Sequence, residues 1–215
     1  MPAARRHFTR DDPATRQTAL ISAALDLMAE DGPQAATVRA ISGAAGLSQG
    51  MIRHHFRTKE ELMNAAYKAH MDAQIAAAEN SAIPVTDPAR TRLQRLISAS
   101  LTPPVCDPRA ISLWAGFIHM IRRDPAMRAT HEAGYLRFRD RLQGLIAALL
   151  REAGRDPDEA EARRLAIACN AVLDGLWLEG GALPDAFQSG ELAEIALGAI
   201  GAILEMPVVS EEAKP

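Results

Sequence analysis

Asp-Pro occurs five times in this chain of 215 residues, at Asp12-Pro13, Asp87-Pro88, Asp107-Pro108, Asp124-Pro125 and Asp156-Pro157. No other feature restricts the fold more. An aspartate side chain accepts from the free N–H groups of a helix's first turn. The proline after it has its φ pre-set and brings no N–H that would go unpaired. Thr37, Ser48, Thr58 and Ser189 are further capping candidates, and Thr58 is followed by Glu61, the spacing of a capping box. These starts predict nine helices, over 13–31, 38–45, 49–56, 59–80, 88–101, 108–122, 125–153, 157–179 and 190–205. Apolar residues recur within them at helical spacing, as in Leu20, Ile21, Ala24, Leu25 and Met28. Leu165, Cys169, Val172, Leu173 and Leu176 form another such stripe. No strand pattern and no repeat of fixed period occurs, so the expected fold class is all-α.

Composition then limits what such a chain can do. Apolar residues make up 48 %, enough for a sizeable core, and the net charge is −3. A uniformly basic nucleic-acid coat and a disordered polyelectrolyte are both excluded. Cys106 and Cys169 match no zinc or redox spacing and read as two free thiols of a reducing compartment. The charged N-terminus, Met1–Asp12, lacks the apolar segment of a secretion signal. No uninterrupted apolar stretch approaches the ~20 residues of a membrane span. The expected location is the cytoplasm, without a membrane partner.

Charge is unevenly spread. The first 60 residues have a small basic excess and the remainder an acidic one. From Gly32 to Lys59 the chain carries Arg39, Arg53, Arg57 and Lys59 and no acid, an asymmetry that points to an anionic partner. Inside that stretch, Thr37 to Phe56 reads TVRAISGAAGLSQGMIRHHF. Two short helices flank Gly46-Leu47-Ser48. Gly46 suits the left-handed conformation that ends a helix, Leu47 is placed to tuck into the core, and Ser48 to cap the second helix. Val38, Ile41, Leu47, Ile52 and Phe56 would pack inward. This is the helix-turn-helix pattern, with 49–56 as the recognition helix. Gln49, Gly50, Met51, Arg53 and His54 are left facing outward. Gln49 can pair with adenine, and Arg53 with guanine or phosphate. Lys59 and the N–H groups of the fourth helix suit a phosphate. Gly50, costly near a helix start, reads either as close approach to a phosphate or as tight helix packing.

The segment resembles the DNA-binding domain of the TetR family of bacterial repressors. The matching residues are Thr37, Ala45-Gly46-Leu47-Ser48, Gly50, Ile52, His55, Phe56 and Lys59, with Arg53 standing where the family motif has Tyr. Gly50-Met51-Ile52-Arg53-His54-His55-Phe56 and Leu173-Asp174-Gly175-Leu176-Trp177-Leu178 are similar to motifs of the choline-responsive, BetI-like subgroup. The resemblance implies a DNA-binding domain over 1–59 and a ligand-binding and dimerisation domain over 60–215. It implies a ligand-released repressor whose helices eight and nine form a four-helix bundle in a homodimer. It also implies a near-palindromic duplex DNA operator, with Thr37, Arg39, Ser48, Gln49, Gly50, Met51, Arg53, His54, His55 and Lys59 at the interface.

In the C-terminal part, Asp174 lies on a largely apolar helix, where a carboxylate needs a partner. That partner is either an internal or cross-dimer salt bridge, or a cationic or hydrogen-bonding ligand. Trp177 follows one turn later, and Trp114, Phe117, Ile118 and Tyr135 could line the same cavity. An apolar ligand, or an anionic one near Arg122 or Arg123, is the alternative. Helix nine has no polar face across Ala193, Ala196, Leu197, Gly198, Ala199, Ile200 and Gly201, which calls for burial against a partner. His119 is expected to be packed and hydrogen-bonded. His54 and His55 point in different directions on a helix and read as no metal site. No phosphate loop, dinucleotide fingerprint or catalytic constellation is present, so no cofactor is expected. The rival readings are a helix-turn-helix regulator without an effector and a small helical enzyme.

Overall fold

The computed structural model describes residues 12–82 and 84–209. The charged N-terminal stretch before Asp12, on which the secretion-signal expectation rests, and the last six residues, at the outer limit of the expected second domain, lie outside them. The described residues form nine α-helices and no strand: α1 (Pro13–Asp31), α2 (Val38–Ala44), α3 (Gln49–Phe56), α4 (Lys59–Ser81), α5 (Ala89–Ser100), α6 (Pro108–Ile121), α7 (Pro125–Glu152), α8 (Glu159–Ala182) and α9 (Glu191–Leu204). A 3-10 turn, Pro184–Ala186, precedes α9. The chain divides into two compact units between Ala66 and Tyr67, two turns further into α4 than the 59/60 division expected from the sequence.

In the first unit α1 packs on α2 and α2 on α3. Leu20, Ala24, Met28, Ile41, Ile52, Phe56, Leu62 and Met63 are buried. Leu47 and Val38 are only half-buried, Val38 opening α2 and Leu47 lying in the turn before α3, both at the edge of this small core. In the second unit α7 is the central helix, packing against α5, α6 and α8, while α9 packs on α5 and α8. Leu142, Leu145, Ile146, Leu149 and Leu150 form its fully enclosed stripe. Burying each contributes about 1.5–3 kcal/mol relative to exposure.

The helix starts show which aspartates cap. Asp107 accepts from Ala110 N at 2.7 Å, and Asp124 from Ala126 N at 2.8 Å and Met127 N at 3.3 Å. Asp12, Asp87 and Asp156 do not cap. The side chain of Asp12 makes no cap bond. Asp87 is drawn to Arg95 at 2.6 Å, and the first N–H of α5, that of Ala89, donates instead to both carboxylate oxygens of Glu152 at 3.0 Å. Asp156 lies toward Arg151, and α8 starts two residues later, with Asp158 accepting from Glu161 N at 2.7 Å. Ser48 and Ser189 supply no side-chain cap either, since α9 is entered through Gly190.

Helix α8 also runs on past the expected stop at 179, through Gly180 and Gly181. These glycines are close-approach sites. A Cβ on Gly180 would collide with Leu192 and lie 2.9 Å from Cys106 Sγ, and one on Gly181 would lie 2.9 Å from Ile111 Cβ. Cys106 and Cys169 are free and buried. No helix among the described residues is long and apolar enough to cross a membrane.

The capping assignment makes a paired prediction. Asp158→Ala should cost about 1 kcal/mol of stability through loss of an N-cap. Asp156→Ala should stay within about 0.5 kcal/mol of wild type, as for an exposed ion pair. Urea unfolding of both variants measures the difference.

Candidate DNA interface and ligand site

The helix-turn-helix is built from local rules. Thr37 Oγ1 accepts from Ala40 N at 3.1 Å, fixing the start of α2 and leaving its own O–H free to donate outward. Gly46 takes φ +66°, which a side chain would resist. The chain can then fold back so that Leu47 N–H donates to Ser42 O at 2.9 Å. Burial of Ile52 and Phe56 seats α3 and sets its other face outward. Gln49, Gly50, Arg53 and His54 are exposed on that face, as are Thr37, Arg39 and Ser48, while Met51 and Lys59 are half-buried. His55 differs from its neighbours. It packs edge-on to His54 at 5.0 Å, and its Nε2 is enclosed without a hydrogen-bond partner. The resemblance places His55 at the DNA interface, and this enclosed nitrogen is not among the groups open to solvent there.

Gly50 sits in open space on the exposed face of α3. A Cβ there would meet nothing nearer than Ser48 Oγ at 3.8 Å, so packing within the first unit does not demand glycine. Its cost of about 1 kcal/mol relative to alanine in a helix therefore has no compensation inside this unit.

Asp107, Arg109 and His70 meet at the start of α6. Burial, then the charge of Arg109, pushes His70 down to about 4, with Asp107 opposing. His119, expected to be packed, is exposed on α6, because the apolar stripe of that helix runs through Leu113 and Phe117.

The expected ligand residues fall into two groups. Trp114 and Trp177 meet edge-on at 6.1 Å, and the Trp177 indole N–H donates to Val105 O at 2.6 Å. Asp174 turns instead toward α7, accepting from Tyr135 O–H at 2.5 Å and from Asn170 Nδ2 at 2.9 Å. Asn170 also donates to Tyr135 Oη at 2.7 Å. One helical turn separates Asp174 from Trp177, yet they address different neighbours. Phe117 is fully buried against Tyr67, with ring centres 4.8 Å apart, and Ile118 is half-buried.

Three residues of this cluster escaped the sequence reading: Tyr67, His131 and Asn170. Tyr67 Oη lies 2.6 Å from His131 Nδ1, and the His131 ring lies 5.8 Å from that of Tyr135. The pairs His131/Tyr135 and Asn170/Asp174 are each four residues apart on facing helices, a polar i,i+4 signal visible in the sequence once both helices are aligned. Burial raises the Asp174 carboxyl above its usual range, opposed by the two hydrogen bonds. Burial and then Asp174 push Tyr135 up to about 12. Burial lowers His131, opposed by Asp174. Asp174 thus has neutral donors and no ion pair among the described residues. Two grooves of the second unit, about 610 Å³ between α7 and α8 and about 450 Å³ along α9, are lined by other residues.

A basic, exposed recognition helix on one unit and an aromatic, acidic cluster in a larger helical unit define a helix-turn-helix transcriptional regulator. Residues 20–66 match the family model of bacterial regulatory proteins of the tetR family, and residues 89–205 match that of the C-terminal domain of BetI-type transcriptional repressors. The chain belongs to the TetR family and carries a BetI-type C-terminal domain. It is similar to the HTH-type transcriptional regulator BetI of Pseudomonas paraeruginosa, 29 % identical over 84 % of this chain and 89 % of that protein. A transcriptional regulator from Pseudomonas aeruginosa has a similar structure, with a TM-score of 0.82, 30 % identity, and coverage of 93 % of this chain and 95 % of that one. A regulator from Saccharomonospora viridis in complex with choline shares the fold, with a TM-score of 0.68 and 22 % identity over 85 % of this chain and 94 % of that one. The chain is accordingly a DNA-binding transcriptional repressor of the BetI type with a C-terminal ligand-binding domain. Its relatives are regulators and not enzymes.

Two predictions follow from the site geometry. Gly50→Ala should leave stability equal or up to about 1 kcal/mol higher while weakening duplex DNA binding, as read by thermal unfolding and fluorescence anisotropy. For His70, the folded state refuses a proton that the unfolded chain accepts below pH about 6.5. Stability should therefore fall as pH drops from there toward 4. His70→Gln should flatten that part of the stability–pH curve, measured by urea unfolding at stepped pH.

Proposed function

We propose that the protein is a cytoplasmic homodimer that represses from a near-palindromic operator and is released by a small organic cation. Gln49 and Arg53, with Met51 and His54, read base edges. Thr37, Arg39, Ser48 and Lys59 hold phosphates around the close approach at Gly50, and His55 braces α3 from within. Two copies of α3 set about 34–36 Å apart would enter successive major grooves.

The dimer reading is supported by the outer faces of α8 and α9. Ile167, Leu178 and Ile195 are 36 %, 45 % and 45 % exposed. Gly175 and Gly198, on these faces, have nothing within 4 Å of an added Cβ. Small residues and stranded apolar side chains suit the close approach of a second copy.

The effector reading rests on one observation. Asp174 is an exposed residue whose carboxylate is satisfied by neutral donors, beside the rings of Tyr135 and His131. Its negative charge is left for a cation to neutralise, and aromatic faces add roughly 0.5–2 kcal/mol per cation–π contact. The choline complex of the Saccharomonospora viridis regulator, a protein of the same fold, is consistent with such a ligand. To switch the protein, the ligand must bind its two states unequally. Arg122 and Arg123, the alternative holders of an anion, are exposed at the end of α6 and line neither groove.

Light scattering should give twice the 23.1 kDa chain mass. A thermal-shift comparison of choline and betaine aldehyde with anions of matched size should show stabilisation by the cations alone, lost in Asp174→Asn. Equal stabilisation of Asp174→Asn, or stabilisation by anions only, overturns the cationic site. No DNA release by any of these compounds favours a regulator without an effector.

A further inference from the structure

The corner between α3 and α4 carries a geometry that the DNA-free protein does not need. Arg57 has φ +52° and ψ −49°, and the Thr58 N–H donates to Phe56 O across it. This is the rare, strained γ-turn with positive φ, built here on an arginine. Its guanidinium is held by Glu61, from Nε at 3.1 and 3.3 Å and from Nη2 at 2.6 Å. The pair lies in the open, with side chains 83 % and 41 % exposed.

The same arrangement leaves a capping box half made. Thr58 Oγ1 accepts from Glu61 N at 3.1 Å. In a complete box the Glu61 carboxylate would accept from the Thr58 N–H in return. Here the carboxylate is occupied by Arg57 and the N–H by Phe56. Three groups therefore have a second arrangement within reach. In it, Glu61 closes the box on Thr58, the γ-turn opens, and Arg57 is released from positive φ with its guanidinium unpaired. That arrangement leaves a planar, hydrated cation beside the recognition helix, free to pair with an arriving anion.

We propose that DNA is that anion: Arg57 is a phosphate contact held in reserve by Glu61, and duplex binding exchanges the carboxylate for a backbone phosphate. The exchange is like for like, since a guanidinium pairs with two oxygens in either case. The freed carboxylate moves to the first turn of α4, where the helix dipole favours negative charge. Strained residues cluster where a segment has two states, and this corner joins the recognition helix to the helix that runs into the second unit. The inference rests on DNA binding but not on the dimer or the effector.

Fluorescence anisotropy of the full chain tests it. The probes are a duplex selected from a random library by the wild-type protein and an unrelated duplex, each titrated over a range of salt. Arg57→Ala should weaken binding to both by about three- to tenfold at low salt and reduce the salt slope by about 0.9, one phosphate's share. Glu61→Gln should tighten both by about two- to fivefold and more than Glu60→Gln, which removes the same charge one residue away. In the double variant Arg57→Ala/Glu61→Gln the gain should vanish. Arg57→Gly should unfold at an equal or higher temperature, because glycine accepts positive φ, yet bind as weakly as Arg57→Ala. An undiminished Glu61→Gln gain without Arg57, or an unchanged salt slope in Arg57→Ala, overturns the proposal while DNA binding stands. If the wild-type protein selects no duplex, the DNA-binding assignment falls and takes this proposal with it.

Discussion

Burial of the α7 stripe holds the second unit together. Leu142, Leu145, Ile146, Leu149 and Leu150 are enclosed while α5, α6 and α8 pack around the helix. Once that stripe is inward, both ends of α7 are committed. Its last residue, Glu152, reaches the first N–H of α5. Near its start, His131 and Tyr135 reach Tyr67 on α4 and Asp174 on α8. The polar cluster of Tyr67, His131, Tyr135 and Asp174 is thus a by-product of hydrophobic registry: apolar burial fixes the rotation of α7, and the polar residues of the same helix meet what that rotation presents.

Electrostatics is then arranged differently in the two units. In the first, the cations are exposed and Ile52 and Phe56 hold α3 from behind. Exposed cations keep their hydration until DNA arrives, and the favourable term on binding is counterion release. In the second, Asp174 is compensated by a tyrosine and an asparagine, neither charged. One unit presents charge to a polyanion in solvent. The other holds one charge at an exposed position between neutral donors.

The helices were largely legible in the sequence, and so was the helix-turn-helix, because both depend on neighbours within four residues. Thr37, Gly46 and the buried pair Ile52 and Phe56 act locally. The caps at Asp107 and Asp124 do too, each bonding N–H groups two or three residues ahead. At the start of α5 and the end of α8, partners distant in sequence overrode the local signal. Arg95 took the carboxylate of Asp87, and Glu152, 63 residues along the chain, capped α5 in its place. The eighth helix was expected to end at 179, yet α8 continues through Gly180-Gly181, where Leu192, Cys106 and Ile111 need the room that the absent side chains leave.

The candidate ligand site divides in the same way. The sequence by itself determined the helix count among the described residues, and the helix-turn-helix with Gln49, Gly50, Arg53 and His54 facing outward, although Met51 is half-buried and Asp174 lies exposed rather than within an apolar stripe. These follow from helical periodicity and from bonds that close within a turn. Only the tertiary structure decided what Asp174 faces. Its turn-neighbour Trp177 points to α6 and the Val105 carbonyl, while Asp174 meets Tyr135 from 39 residues away and Asn170 on its own helix. Tyr67 and His131, 64 residues apart, join the cluster by packing alone. Residues one turn apart on a helix differ by about 60° in direction, enough to address different neighbours, and which neighbour lies in each direction is set by how whole helices bury their apolar faces.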